Sequence, residues 1–418
     1  MKLNCKNDLL LSFLLFMITL SLVGQNLIRQ PYLQTVWKDS VSVIWKTDTT
    51  AKNCELRYHY LEKKRSFVFW KRQVKKVATK SGKLTEHAGE ILNEVVLKNL
   101  KPKTKYHYEI YSNGKRLASG NDYYYFVTAP RKKGKRFSFF ALGDIGATKN
   151  QSFADKTANQ INELSVRPDF GLGLGDIVYP KGESKVYDDQ LFEPFENVFK
   201  NIPFYPVLGN HDWLSQPDDN FEKEWRLPNN EHYFDFEYSN AYFIGLDSRD
   251  GNFYDLDSQT KWLKNKLIRA QENYDWIIVY LHHNGKSCTY KPDYSHVVKL
   301  YEVFSKYNVD LVLNGHAHTY ERLKPFDAFG NVAIETQDEK YHNLKEAFIS
   351  VTVGAGGKLN KKWHPDTKNI KNCTDGNIVA HAQHVGSFSI IEIIGKKLIF
   401  KGVNSFTGEE FDKFEITK

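Results

Sequence analysis

Five short stretches of this chain carry side chains of the kind that bind metals, four of them beside glycine. They are Gly143-Asp144-Ile145-Gly146, Gly175-Asp176-Ile177-Val178-Tyr179, Gly209-Asn210-His211-Asp212, His282-His283, and Gly315-His316-Ala317-His318-Thr319-Tyr320-Glu321-Arg322. Each alone is commonplace: Gly-Asp is usually a turn, and Gly-Asn-His-Asp suits an Asx-turn. Together, Asp144, Asp176, Asn210, His282, His316 and His318 offer hard oxygen and imidazole donors, with a carboxylate able to bridge two ions. His316 and His318 are two residues apart, which on a strand end lets both imidazoles approach a metal pair. No cysteine falls in the five stretches, which argues against a zinc–thiolate or iron–sulfur site. The set suits a hard, highly charged ion on one side and a softer divalent ion such as zinc, manganese or iron on the other.

The elements that must position these residues are legible around them. Each stretch follows a buried apolar run: Phe137–Leu142, Asp169–Leu174, Phe204–Leu208, Trp276–Leu281 and Val309–Leu313. Helical patterns near Asp155–Leu164, Asp188–Lys200 and Ser258–Glu272 alternate with these runs, and His232–Tyr238 with Ala241–Asp247 reads as a strand pair. Strands return at Phe348–Val353, Phe388–Ile394 and Lys397–Val403. Such alternation predicts an α/β domain over 137–418. Sites in open α/β sheets form outside the carboxyl ends of strands, and glycine lets the backbone turn there sharply. Upstream the rhythm is all-β. Runs at 42–45, 55–60, 94–97, 105–110 and 123–127, with turn residues such as Asn113-Gly114, predict a small sandwich of immunoglobulin or fibronectin type over 25–130. A charged linker, 131–136, joins the two.

A length of 418 residues suits two domains, and 41% hydrophobic with 14% aromatic residues suits well-packed cores. Residues 1–24 read as a secretory signal peptide, with Lys2 and Lys6 ahead of the apolar run Leu9–Val23. No other stretch is long and apolar enough to cross a bilayer, so the expected location is secreted, periplasmic or cell-surface. Beyond the leader, Cys288 and Cys373 lie in loop-like regions and are the candidates for a disulfide, while Cys54 reads as a small buried residue. The net charge of +8 gathers in Lys63-Lys64-Arg65, Lys71-Arg72, Lys75-Lys76 and the linker. These read as solvated hairpin faces, and no specific nucleic-acid partner is expected. Asn150-Gln151-Ser152 and Asn372-Cys373-Thr374 fit the glycosylation pattern of a eukaryotic host.

In this order the five stretches resemble the calcineurin-like metallophosphoesterase superfamily. Gly-Asp-x-x-Tyr followed by Gly-His-x-His-x-Tyr-Glu-Arg is similar to the purple acid phosphatases in particular. Gln30-Pro31-Tyr32-Leu33-Gln34, Gly354-Ala355-Gly356-Gly357 and Phe406-Thr407-Gly408 resemble further blocks of that family, so the likeness spans nearly the whole chain after the leader. It implies a fibronectin type III-like domain followed by a metallophosphoesterase domain of two packed mixed β-sheets flanked by helices. It also implies that Tyr179 ligates a ferric ion. A phenol with a pKa of about 10 needs a strong Lewis acid to become phenolate near neutral pH.

Carried over by position, Fe(3+) takes Asp144, Asp176, Tyr179 and His318, and a second ion, Zn(2+), Fe(2+) or Mn(2+), takes Asp176, Asn210, His282 and His316. The implied function is an exported acid phosphatase that hydrolyses phosphomonoesters by attack of a metal-bound hydroxide. His211 would hydrogen-bond the phosphate or protonate the leaving oxygen, with Asp212 orienting it. After His282 the chain departs from the family, running His283-Asn284-Gly285-Lys286-Ser287-Cys288 in place of a proline-containing substrate loop. His283 and His296 are candidate substrate-side groups, whereas Lys286 reads as a solvated lysine. The polar segments 336–345 and 363–376 read as loops that rim the site. Two competing readings are a phosphodiesterase or nuclease on the same metal core, and a surface or adhesion protein with a vestigial site.

Overall fold

Strand Trp276–Tyr280 shows how the core of the α/β unit is built. Its side chains alternate, so Trp276, Ile278 and Tyr280 enter the core between two sheets. Ile277 and Val279 face the other way, into a second apolar cluster that holds Leu263, Leu267 and Ala270 of the helix Leu256–Asn273. The computed structural model describes residues 27–65, 70–81, 83–87, 89–120, 123–131, 136–147, 151–214, 220–249, 256–335, 338–360 and 378–418. The leader, the middle of the linker, both asparagines of the glycosylation pattern, Cys373 and the segment 363–376 lie outside the described residues, as do the side chains of the basic hairpin. Cys288 is disulfide-bonded to a cysteine outside the described residues, and Cys54 is buried and free.

Two seven-stranded sheets make the α/β unit. In the first, Phe137–Leu142, Phe170–Gly173 and Phe204–Pro206 run parallel, and Ser387–Ile394 continues the sheet antiparallel. In the second, Ala241–Gly245, Trp276–Tyr280, Leu311–Asn314 and Ile349–Val353 run parallel. The sheets meet through aromatic rings, with Phe139 and Phe170 each packed edge-on to Phe243 at 5.2 Å between centroids. Both sheets therefore point the carboxyl ends of their parallel strands at one crevice.

Three expectations change. The helix expected over Asp188–Lys200 is broken into Ser184–Tyr187, a wider turn Asp188–Phe192 and Glu196–Phe199. Pro194 sits in the gap, where its missing N–H interrupts the helical ladder. Segment 336–345 is not simply a loop, because Lys340–His342 adds a parallel edge strand to Glu410–Thr417. The tail of the fifth stretch, Tyr320–Leu323, is itself a strand, antiparallel to Ile349–Val353 and Val379–Gln383. Buried Arg322 explains that strand's polar sequence, since it donates to both carboxylate oxygens of Asp412 at 2.8 and 3.0 Å.

The leading residues form two antiparallel sheets around a core that includes Trp45, Leu56, Tyr106, Tyr108 and Phe126. This sandwich is fastened to the α/β unit by its first strand, Leu27–Gln34. Tyr32 Oη donates to the Glu224 carbonyl at 2.7 Å, and Gln34 Nε2 donates to the Phe204 carbonyl at 2.8 Å. Buried Arg29 donates to the carboxylates of Asp188 and Glu224 and lies 3.7 Å over the Phe192 ring. Lys46 adds its charge 3.4 Å from Asp188 and 3.6 Å from Glu224.

Candidate metal centre

Asp144, Asp176 and Asn210 leave the first sheet and His282, His316 and His318 leave the second, all past the carboxyl ends of parallel strands. The turns that aim them are strained. Asp144, Asp176 and His316 have φ of 54°, 50° and 69°, a region costing roughly 1–3 kcal/mol each for such residues. Glycine is required where the turns touch. Gly175 has φ +80°, and a Cβ there would lie 2.6 Å from His282 Nδ1. A Cβ on Gly209 would strike the backbone nitrogen and side chain of Asp176.

The donor atoms fall into two clusters that share Asp176. On one flank, Tyr179 Oη lies 2.9 Å from Asp144 Oδ1, 2.9 Å from Asp176 Oδ2 and 3.2 Å from His318 Nε2. His318 Nε2 is also 3.1 Å from Asp144 Oδ1. Four electron-pair donors thus crowd together while the phenol and the imidazole supply at most one proton each. Burial, together with Asp144 and Asp176, pushes the Tyr179 phenol far above its ordinary value. This is an arrangement that a cation fits. On the other flank, His282 Nε2 is 3.2 Å from Asn210 Oδ1, 3.4 Å from Asp176 Oδ1 and 3.2 Å from His316 Nδ1. Burial opposes a charge on His282, but the charge and hydrogen bond of Asp176 outweigh it and lift the imidazole to about 9. Burial, helped by His282 and His283, holds His316 unprotonated. Two overlapping trios have the spacing to hold an ion, Asp144 with Asp176 and His282, and His282 with His283 and His316; both include His282, so the second flank is represented more fully than the first.

Comparison with known proteins agrees with this geometry. The calcineurin-like phosphoesterase family profile matches residues 137–320, the span that carries all the donor residues. Purple acid phosphatase 21 of Arabidopsis thaliana is 26% identical over 322 residues, covering 71% of this chain and 67% of the relative. The chain is thus similar to the purple acid phosphatases, and its residues 137–320 match the calcineurin-like phosphoesterase family. Tartrate-resistant acid phosphatase type 5 of Mus musculus is 27% identical over 233 residues, covering 46% of this chain and 70% of that protein. Among solved structures, purple acid phosphatase PPD1 from yellow lupin (Lupinus luteus) seeds superposes with a TM-score of 0.74. That match has 17% identity and covers 93% of this chain and 74% of the other, so the fold is shared.

Around the donor set lie groups that fix it. His282 Nδ1 pairs with the Leu174 carbonyl at 2.8 Å, which turns Nε2 inward, and His316 Nε2 meets Tyr294 Oη at 2.6 Å. Tyr290 Oη accepts the His318 amide at 2.9 Å. Local pattern did not reveal Tyr290 or Tyr294, because both act from a loop far along the chain. His211 stands at the mouth, its ring 4.5 Å from that of Tyr179, with Nδ1 on the Pro180 carbonyl at 2.7 Å. Asp212 does not orient His211. Its buried carboxylate turns inward instead, accepting from Ile177 N at 2.9 Å and Gly209 N at 2.8 Å, and so ties two donor turns together. Burial and the charge of Asp176 push Asp212 up to about 7. His283 pairs through Nδ1 with Ser248 Oγ at 3.1 Å and packs 4.4 Å from the His316 ring. His296 Nε2 pairs with the Ser248 carbonyl at 2.9 Å. Lys286 lies 6.0 Å from the Phe326 ring and makes no contact with the donor set among the described residues.

Proposed function

We propose that this chain is an exported acid phosphatase that hydrolyses phosphomonoesters at a two-ion centre. One ion is ferric, held by Asp144, Asp176, Tyr179 and His318; the other is zinc, ferrous iron or manganese, held by Asp176, Asn210, His282 and His316. The observation that carries this reading is that the two carboxylate oxygens of Asp176 face two separate donor clusters. The calcineurin-like phosphoesterase match supports the chemistry class, and the names of the relatives, acid phosphatases, support the substrate class. Export rests on the reading of residues 1–24 as a leader, and no helix among the described residues is long and apolar enough to cross a membrane. The division into a sandwich over 25–130, a linker over 131–136 and a catalytic domain over 137–418 belongs to the same reading. The last sandwich strand is Tyr125–Val127, and the first α/β strand begins at Phe137.

When bound, the ions supply Lewis acidity that lowers the pKa of a water and takes up charge on the phosphoryl oxygens. The chain's own groups do the rest. The Pro180 carbonyl holds the Nδ1 proton of His211, and Nε2 lies 3.9 Å from Asp176 Oδ2 at the open side. From there His211 hydrogen-bonds the phosphoryl group or protonates the leaving oxygen. His283 and His296, bonded to Ser248, act as supports behind His282 and His316.

Purified protein should carry one iron and one further divalent ion per chain and a visible tyrosinate–iron band that Tyr179→Phe abolishes. It should cleave phenyl phosphate in preference to a diester chromogenic substrate. A colourless, iron-free protein, or a faster diesterase, rejects this reading. His211→Ala should lower kcat by about 10²-fold while metal content and band persist. Loss of metal in that variant would place His211 among the ligands instead.

A further inference from the structure

The rim of the cradle carries two cations that the proposed centre leaves unused. Lys358 follows the Gly354–Gly357 turn, and its Nζ lies 3.6 Å from the Tyr179 ring centroid. Lys291 belongs to the loop after His282, with its Nζ 5.7 Å from the ring centroid of Tyr290. Both lysines are half-buried, and among the described residues no carboxylate lies within ion-pair distance of either. The acids whose charge they feel are Asp144 and Asp176, and Lys358 also feels Lys291. Those two acids are engaged with Tyr179, His282 and His318 inside the cradle.

Filling the cradle with ions reverses the balance. The ammonium groups then flank a positive centre, a costly position for partly desolvated cations unless an anion sits among them. The loop that bears Lys291 is firmly placed. Ser287 Oγ and Cys288 N donate to buried Glu321 at 3.0 and 2.7 Å, Tyr290 grips the His318 amide, and Tyr294 meets His316. Neither ammonium hydrogen-bonds a donor atom of the cradle, which leaves both available to an anion at the rim.

We propose that Lys291 and Lys358 read a second anionic group on the leaving side of the ester, a carboxylate or a second phosphate, and so select negatively charged leaving groups. This rests on the phosphomonoesterase reading above. The reaction is ordinary hydrolysis. The water oxygen forms the new bond to phosphorus, the ester P–O bond breaks, and its electron pair leaves with the alcohol oxygen, which takes up a proton.

The test compares wild-type holoenzyme with Lys291→Met, Lys358→Met and Lys358→Arg on phenyl phosphate, 4-carboxyphenyl phosphate, 1,4-phenylene bisphosphate and 4-(trimethylammonio)phenyl phosphate. Taking the ratio of wild type to variant on each ester cancels the ester's intrinsic reactivity. Each Met variant should lose about tenfold more kcat/KM on an anionic ester than on phenyl phosphate, with the cationic ester losing least, and Arg should restore the preference. The carboxylate and bisphosphate arms show which second anion is read. Calorimetry should show the same selective loss for 4-carboxyphenylphosphonate against phenylphosphonate, independent of turnover. Equal losses on all esters, or none, would overturn the proposal while leaving the phosphatase reading standing. A wild-type holoenzyme that cleaves no monoester would overturn both.

Discussion

The junction between the sandwich and the α/β unit and the metal cradle both bury several charges, and they treat them differently. At the junction, Arg29 and Lys46 meet Asp188 and Glu224, so every acid has a cation and the group is closed. In the cradle, Asp144 and Asp176 face a phenol and imidazoles, and the lone pairs outnumber the protons. A closed set of charges holds two parts of a fold together. An open set, on a backbone strained at Asp144, Asp176 and His316, is built for something that arrives later.

The sharpest way to break this contrast is to exchange one acid in each place. Asp176→Asn should cut kcat/KM by at least about 10³-fold and lose at least one ion, because both flanks share that carboxylate. Its metal-free stability should stay within about 1 kcal/mol of wild type in urea unfolding above about pH 9, where His282 is neutral, and fall below wild type near neutral pH. Above about pH 9 asparagine still accepts the His211 amide bond and relieves the repulsion with Asp212; at neutral pH it loses the carboxylate that holds His282 protonated. Glu224→Gln should do the reverse. It leaves Arg29 buried with half its partners and should cost about 3–5 kcal/mol, while kcat/KM stays within about twofold. If Asp176→Asn unfolds the protein and Glu224→Gln does not, the distinction is wrong.

A smaller effect separates the two regions by pH. Burial favours protonation of Asp188, but the hydrogen bond and charge of Arg29 outweigh it and hold the carboxyl below its ordinary value. Its contribution is therefore present above the unfolded value of about 3.9 and is lost as pH falls through the lower folded value. His282 in the metal-free protein has the opposite sign. Raised to about 9 by Asp176 against the effect of burial, it contributes fully below about 6.5 and loses that contribution as pH rises through 9. Urea titrations of metal-free protein should show an acid limb blunted in Asp188→Asn, by about 1 kcal/mol, and an alkaline limb missing in Asp176→Asn.

What the sequence disclosed follows the same division. The strand-end turns were legible because glycine and donor sit side by side where a buried run stops, so chemistry and local backbone share one short pattern. The alternation of strands and helices gave the α/β unit for the same local reason. Glu321 and Arg322 sat in plain view within the fifth stretch, yet their partners Cys288 and Asp412 are 33 and 90 residues away. Lys291, Lys358, Tyr290 and Tyr294 have no local signature, because only tertiary contact brings them to the rim. Asp212 looked like a partner for its neighbour His211, but adjacent residues on a tight turn point apart, and burial drew the carboxylate toward backbone amides instead.

The strand Tyr320–Leu323, which begins two residues after His318, depends on residue 412: Tyr320 Oη and Arg322 both hold the Asp412 carboxylate, at 2.5 and 2.8 Å. The turn that carries His316 and His318 is therefore held from the other sheet, by a residue about ninety positions further along the chain, so a change at Asp412 would reach the proposed centre without touching it.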